Sequence, residues 1–267
     1  MNPKYSDKDY QEKLVAFLDI LGFKKLISQD KSESIKSINF MDERIKHILN
    51  VLQENHGKKF SIKLFSDCIC LSCEYTFENL FYILYELSFI QLYFSFEGIF
   101  LKGALSKGEH FENERIIFSK GLIKAYTLEQ VAIYPRIIID EDLIDEINED
   151  HNLYFPIYAG FKKKDFLIES FDGQFTVDYL NLLYEEGVEK IDEFKKHKRA
   201  ILRNIKENHR NIRVIEKYRW VAEYHNYKFN EIIDKEDLEE CYIAESTKEA
   251  SINLKSIFPK FHKSQIT

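Results

Sequence analysis

The stretch Val15-Ala16-Phe17-Leu18-Asp19-Ile20-Leu21-Gly22-Phe23 decides how this chain is read. Leu14 to Leu18 is an unbroken apolar run, short enough to indicate a buried strand. Asp19 closes that strand. Ile20 to Ile27 then carries a helical pattern, and Gly22 lets the backbone turn closely between the two. A second acid stands in a matching place. Phe60 to Phe65 and Cys68 to Ser72 have strand character and are separated only by Ser66-Asp67, whose side chains suit a tight turn. Taken singly, Asp19 reads as a helix cap and Asp67 as a turn residue. Taken together, two strand-end carboxylates on adjacent strands can converge, and oxygen ligands are what Mg2+ and Mn2+ prefer. The N–H groups of Ile20, Leu21, Gly22 and Phe23, at the start of a helix, suit a triphosphate.

Working outward, Ser34 to Asn55 predicts a helix, with Ile35, Ile38, Met41, Ile45, Ile48, Leu49 and Leu52 at three- and four-residue steps. Thr76 to Phe96 predicts a longer helix, apolar over much of its circumference and so sandwiched between other layers. Strands are expected over Ile99 to Lys107, Ile116 to Phe118 and Pro135 to Ile139. A loop or hairpin tip is expected from Gly108 to Glu114 and a helix over Lys120 to Gln130. This order predicts an α+β fold, an antiparallel-rich sheet with helices on one face. After about residue 150 the charge density rises. Phe166 to Glu169 reads as one more strand, and Phe175 to Tyr184, Val188 to His209 and Arg213 to Phe229 as helices. The division expected is therefore 1–150, carrying the sheet, and 151–267, a mainly helical C-terminal extension.

Composition narrows the class. The chain has 267 residues with 22 Phe and 16 Tyr but only 9 Gly and 4 Pro, which favours long elements over the many turns of an all-β sandwich. A net charge of −7 offers no argument for gripping a nucleic-acid backbone. The lysine clusters at 162–164 and 195–199 read as solvated faces. The polar N-terminus has no signal-peptide pattern, and no apolar run approaches the ~18 residues of a membrane helix. A cytoplasmic protein without membrane attachment is expected. Cys68, Cys70, Cys73 and Cys241 lack zinc-site spacing and read as buried thiols in a reducing compartment. On a strand, Cys68 and Cys70 share a face and Cys73 does not.

Four blocks in order resemble the class III nucleotide cyclases. Asp19-Ile20-Leu21-Gly22-Phe23 is similar to that family's Asp-Ile-x-x-Phe at a strand end. Ile62-Lys63-Leu64-Phe65-Ser66-Asp67-Cys68 resembles its second-Asp hairpin, with Ser66 where Gly is usual. Leu101 to Glu109 resembles its next strand, and Gly121 to Glu129 its Gly-x-x-Val-Asn-x-Ala-x-Arg-Leu-Glu helix. The resemblance covers about residues 14–140. It implies a ferredoxin-like, palm-type sheet and attack of a ribose hydroxyl on an α-phosphate with loss of pyrophosphate. It also implies Mg2+ or Mn2+ held by Asp19, Asp67 and the Ile20 carbonyl, with Lys63 near the base. A nucleoside triphosphate and a second copy of the chain are the implied partners, the site forming between two such domains. A separate effector protein reading a cyclic or short oligonucleotide product is the analogy from bacterial defence systems.

The resemblance also has a gap. The positions of the family's Asn and Arg hold Ile123 and Thr127, which supply no charge. Lys102, Lys107, Lys124, Arg115 and Arg136 are the candidates to replace it, and Arg136, opening a core strand, is the foremost. An enzyme is one expectation. A catalytically inactive nucleotide-binding sensor or regulatory protein is the other, and a structural protein built around the C-terminal helices is a third.

Overall fold

The computed structural model describes residues 5–28, 30–50, 60–148, 163–184, 190–232, 241–243, 246–247 and 252–253. The apolar run quoted above lies inside β1 (Gln11–Ile20), which pairs antiparallel on both sides. One neighbour is β3 (Cys68–Glu74), joined in a hairpin to β2 (Phe60–Phe65); the other is β4 (Leu101–Glu112). A central place in the sheet, with both faces covered by other layers, explains why β1 reads as continuously apolar: Leu14, Val15, Ala16 and Leu18 are all fully buried. Beyond β4 the sheet continues through β6 (Ile137–Ile139), β8 (Phe175–Val177) and β7 (Leu167–Glu169). The short β5 (Ile117–Ser119) pairs with β4. The β4–β6 pairing is parallel; every other pairing of this eight-stranded sheet is antiparallel. The fold is mixed α+β with a mostly antiparallel sheet.

The strand period of two divides β1 between two layers. Leu14, Ala16, Leu18 and Ile20 join the main core with Ile69, Leu71, Leu105 and Ile139. That face carries α3 (Phe77–Phe96), whose Leu80, Phe81, Ile83, Leu84 and Leu87 are fully buried. Each such side chain contributes roughly 1.5–3 kcal/mol of burial, which is why a helix apolar around most of its girth is stable here. Thr76 caps it by accepting from the Asn79 N–H at 3.0 Å. The short α1 (Phe23–Ile27), α2 (Lys31–Asn50) and α5 (Glu141–Asn148) complete this layer around the sheet. The predicted end of the second helix, beyond Asn50, lies outside the described residues.

Val15, Phe17 and Asp19 point the other way. On that face α4 (Lys120–Val131) packs across β1 and β4, so the helices are not all on one side. Gly108 and Gly121 make the approach possible: a Cβ at Gly108 would stand 2.8 Å from the Gly121 nitrogen. Ser106 Oγ adds a bond to the Gly121 carbonyl at 2.8 Å. The aromatic ring of Tyr126 then reaches Phe17, centroid to centroid 5.5 Å.

Two stretches differ from expectation. β4 runs on through Glu112, absorbing most of the segment read as a loop. Phe175 to Tyr184 is not a helix: Phe175–Val177 is strand β8 and Tyr179–Tyr184 is a 3-10 turn. Three consecutive β-formers, with Thr176 paired to both Ile138 and Ile168, outweigh the weak helical periodicity. β7 and β8 therefore extend the sheet with residues from beyond 150. The chain then forms α6 (Lys190–Glu207) and α7 (Ile212–Ile232), which pack on each other, α6 also on α3 and α7 on the Tyr179–Tyr184 turn. Among the described residues no helix is long and apolar enough to cross a membrane.

Candidate functional site

The ladder on either side of β1 brings the site together. Asp19 lies in register with Cys68 of β3 and with Lys102 of β4. Directly paired residues share a face, so the row Cys68, Asp19, Lys102 stands on the α4 side of the sheet. The Ser66-Asp67 turn delivers the second carboxylate, and the Asp67 carbonyl accepts the Ile20 N–H at 2.8 Å, fastening the hairpin to the end of β1. One oxygen each of Asp19 and Asp67 and the sulfur of Cys68 all lie within 4.8 Å of one another. Ser66 occupies φ +54, a left-handed conformation that glycine adopts without penalty.

The electrostatics leave both acids without neutralising partners. Among the described residues neither Asp19 nor Asp67 has a cationic group within ion-pair distance. Lys102, although opposite Asp19, pairs instead with Glu129 of α4, which is buried. Burial, then the Glu129 and Asp67 charges, raise the Asp19 carboxyl above the usual carboxylate range, against a smaller pull downward from Lys102 and Lys217. Burial and the two aspartates push the Cys68 thiol up to about 12, and it donates to Asp67 Oδ1 at 3.7 Å. Two converging, unpaired carboxylates fit a hard divalent cation; the thiol beside them is a softer donor.

The other expected site residues are placed as follows. The Ile20 N–H goes to Asp67 and the Leu21 N–H to the Phe100 carbonyl at 2.9 Å, so two of the four amides read as phosphate donors are bonded to backbone. Gly22, at φ +81, borders open space, and Phe23 begins α1. Lys63 is in register with Cys70 and so shares the face of Asp19. Its amine donates to the Asn113 carbonyl at 2.6 Å and lies 3.4 Å from Glu112. Lys124 lies 2.5 Å from Asp140 and 2.6 Å from Asp142. Arg136 is buried, and its guanidinium grips Asp172 through both terminal nitrogens. Lys107 pairs with Glu146. Ile123 is two-thirds exposed, and Thr127 turns its hydroxyl back to the Ile123 carbonyl at 2.8 Å.

Three residues were not singled out by sequence. Cys68 was read only as a buried thiol. Glu129 was visible inside the helix motif, but nothing marked it as a site acid. Lys217, on α7, is half-buried and within electrostatic reach of Lys102, Asp19 and Glu129. A lysine on a densely charged helix carries no sequence signal of that kind.

No family model matches the chain, and no curated protein matches it. Among solved structures it is similar to a class III adenylyl cyclase-like ATP-binding protein from Pseudomonas aeruginosa. There the identity is 11% and the TM-score 0.36, over 51% of this chain and 34% of that one. It is also similar to a bacterial light-regulated adenylyl cyclase, with 13% identity and a TM-score of 0.43, over 75% of this chain and 60% of that one. The chain thus spans about a third of the first and three fifths of the second. These are distant likenesses to cyclase-like structures.

Proposed function

We propose that the chain binds a nucleoside triphosphate with a divalent cation, Mg2+ or Mn2+, at the Asp19–Asp67 pair. Its activity is that of a nucleotide cyclase or nucleotidyltransferase making a cyclic or short oligonucleotide signal. The convergence of the two unpaired carboxylates at adjoining strand ends carries this reading. Asp19, Asp67 and the Ile20 carbonyl hold the cation, which when bound supplies the positive charge that draws a phosphate to this end of the sheet. Gly22, with no Cβ and open space before it, lets a phosphate approach the backbone. Ile123 and Tyr126 stand exposed on α4 and offer an apolar surface to a second copy of the chain.

One observation favours a second reading, nucleotide binding without turnover. The α4 positions that resemble the family's Asn and Arg are an exposed Ile123 and a Thr127 bonded to its own helix. Neither can stabilise charge developing on a phosphate.

The deciding experiment incubates the protein with each of the four nucleoside triphosphates and Mn2+ or Mg2+, following pyrophosphate release and product mass. Turnover by the wild type, lost in Asp19→Ala and Asp67→Ala, supports the enzyme. Cation-dependent binding without product supports the sensor. No binding of any triphosphate overturns both.

A further inference from the structure

Helix α7 belongs to the part of the chain that has no counterpart in the cyclase-like pattern, yet it runs to the same end of the sheet as Asp19. Two contacts fix its path. Tyr218 packs edge-on against Phe100, just before β4, with centroids 5.5 Å apart. Trp220 stacks on Tyr134, just past α4, at 5.7 Å and 9°. Lys217, the residue before Tyr218 and one turn before Trp220, therefore lies between the start of β4 and the end of α4. Lys102 and Glu129 sit at those two places. Lys217 is half-buried and makes no ion pair within 4 Å among the described residues. Its neighbour Glu129 is already taken by Lys102.

The sum of charges around it is informative. Asp19, Asp67 and Glu129 bring three negative charges; Lys102 and Lys217 bring two positive ones. The bare cluster is net negative by one and does not favour an anion. A bound divalent cation makes it net positive by one, and Lys217 is then the cation in the group that no carboxylate has claimed. Without Lys217 the loaded site would be neutral, and its attraction for a phosphate would be lost.

We propose that Lys217, supplied by the C-terminal helix α7, is a phosphate-binding residue of the Asp19–Asp67 site. It takes the place of the charge that Ile123 and Thr127 do not provide. The helical region is then part of the site and not an appendage to it. The assignment rests on the reading of Asp19 and Asp67 as cation ligands. A lysine ammonium with three donors and a flexible stem suits a phosphate oxygen whose position is set by the cation.

The test uses the full-length protein, Mn2+ alone, and inorganic tripolyphosphate with Mn2+, all by titration calorimetry. Lys217→Met is compared with Lys217→Arg and with Lys46→Met on the exposed face of α2. In Lys217→Met, Mn2+ affinity holds or rises a few-fold, because a repelling charge has gone, while tripolyphosphate affinity falls about tenfold. Lys217→Arg keeps tripolyphosphate binding within about threefold of wild type, and Lys46→Met matches wild type. A loss of folding would weaken both ligands together, so the opposite directions isolate the charge effect. Wild-type tripolyphosphate binding in Lys217→Met, with Mn2+ binding intact, overturns the role of Lys217 and leaves the cation site standing. Absence of Mn2+ binding by the wild type, or its persistence in Asp19→Asn, overturns the cation site and the Lys217 assignment with it.

Discussion

Lys102 stands opposite Asp19 across the β1–β4 ladder, yet its amine is given to Glu129. That choice leaves the Asp19 carboxylate unpaired. It also makes Lys102 and Glu129 a largely buried pair, and removing one partner of such a pair strands the other. Lys102→Met is expected to cost about 3–5 kcal/mol. The double variant Lys102→Met, Glu129→Gln is expected to recover most of that loss. Urea unfolding of the four proteins in a double-mutant cycle measures the coupling; additive effects would show that the pair is not the link.

Asp19 is stable in its neutral form and strained in its charged form. Its folded pKa is raised, by burial first and by Glu129 next, so the folded state binds this proton more tightly than the unfolded state and the charged form is the costly one. Stability linked to this group is therefore lost as pH rises from the unfolded carboxylate value through the folded one. At pH 7 in the absence of metal, Asp19→Asn should melt at a higher temperature than wild type. The same variant should lose the rise in Tm that Mn2+ produces in wild type. A drop in the metal-free Tm would contradict this account of the charge at Asp19.

Ser66 holds φ +54 in the turn that presents Asp67. Relief of a left-handed Ser is worth about 1–2 kcal/mol and the added freedom of an unfolded Gly takes back about 0.4–1. Ser66→Gly should stabilise the protein by roughly 0.5–1 kcal/mol in urea unfolding, with metal binding unchanged. The interest of the position is that Gly is usual there in the pattern this hairpin resembles.

The C-terminal helices carry a buried chain of hydrogen bonds whose direction can be deduced. His225 Nε2 faces the Cys241 carbonyl at 2.9 Å, an acceptor only, so it must carry the proton. His225 Nδ1 then accepts from His197 Nδ1 at 2.8 Å, and His197 Nε2 accepts from the Tyr179 hydroxyl at 3.0 Å. Both rings are neutral and fully buried. Burial pulls His225 down to about 4 and His197 well below its ordinary value. Because folded values lie below unfolded ones, the stability is present above about pH 6.5 and is lost as pH falls toward 4. Urea unfolding between pH 7 and pH 4.5 should show this decline, and His225→Phe, by ending proton uptake at that ring, should flatten its slope.

Much of this was legible in the sequence, for physical reasons that differ by element. β1 was readable because pairing and packing on both sides demand a continuous apolar run, Leu14 to Leu18. The β2–β3 hairpin was readable because Ser66-Asp67 interrupts two runs of β-formers, and α3 because its girth is apolar almost throughout. β8 was missed because Phe175-Thr176-Val177 is too short to show a period of two, and its partner Ile138 is distant in sequence. The partner of Arg136 could not be foreseen either, since Asp172 is brought to it by the β7–β8 connection. At the site, the two aspartates announced themselves by position at strand ends. Lys102 and Glu129 needed the register, and Lys217 needed the packing of α7 on Phe100 and Tyr134.

The central claim is that Asp19 and Asp67 together hold a cation on which nucleotide binding depends. Equilibrium binding of a non-hydrolysable nucleoside triphosphate, with Mn2+ and with EDTA, tests it most directly in wild type, Asp19→Asn and Asp67→Asn. Binding to wild type in Mn2+ alone, weakened at least about tenfold by either substitution and abolished by EDTA, is the predicted result. Binding that survives EDTA, or that neither substitution changes, would contradict it.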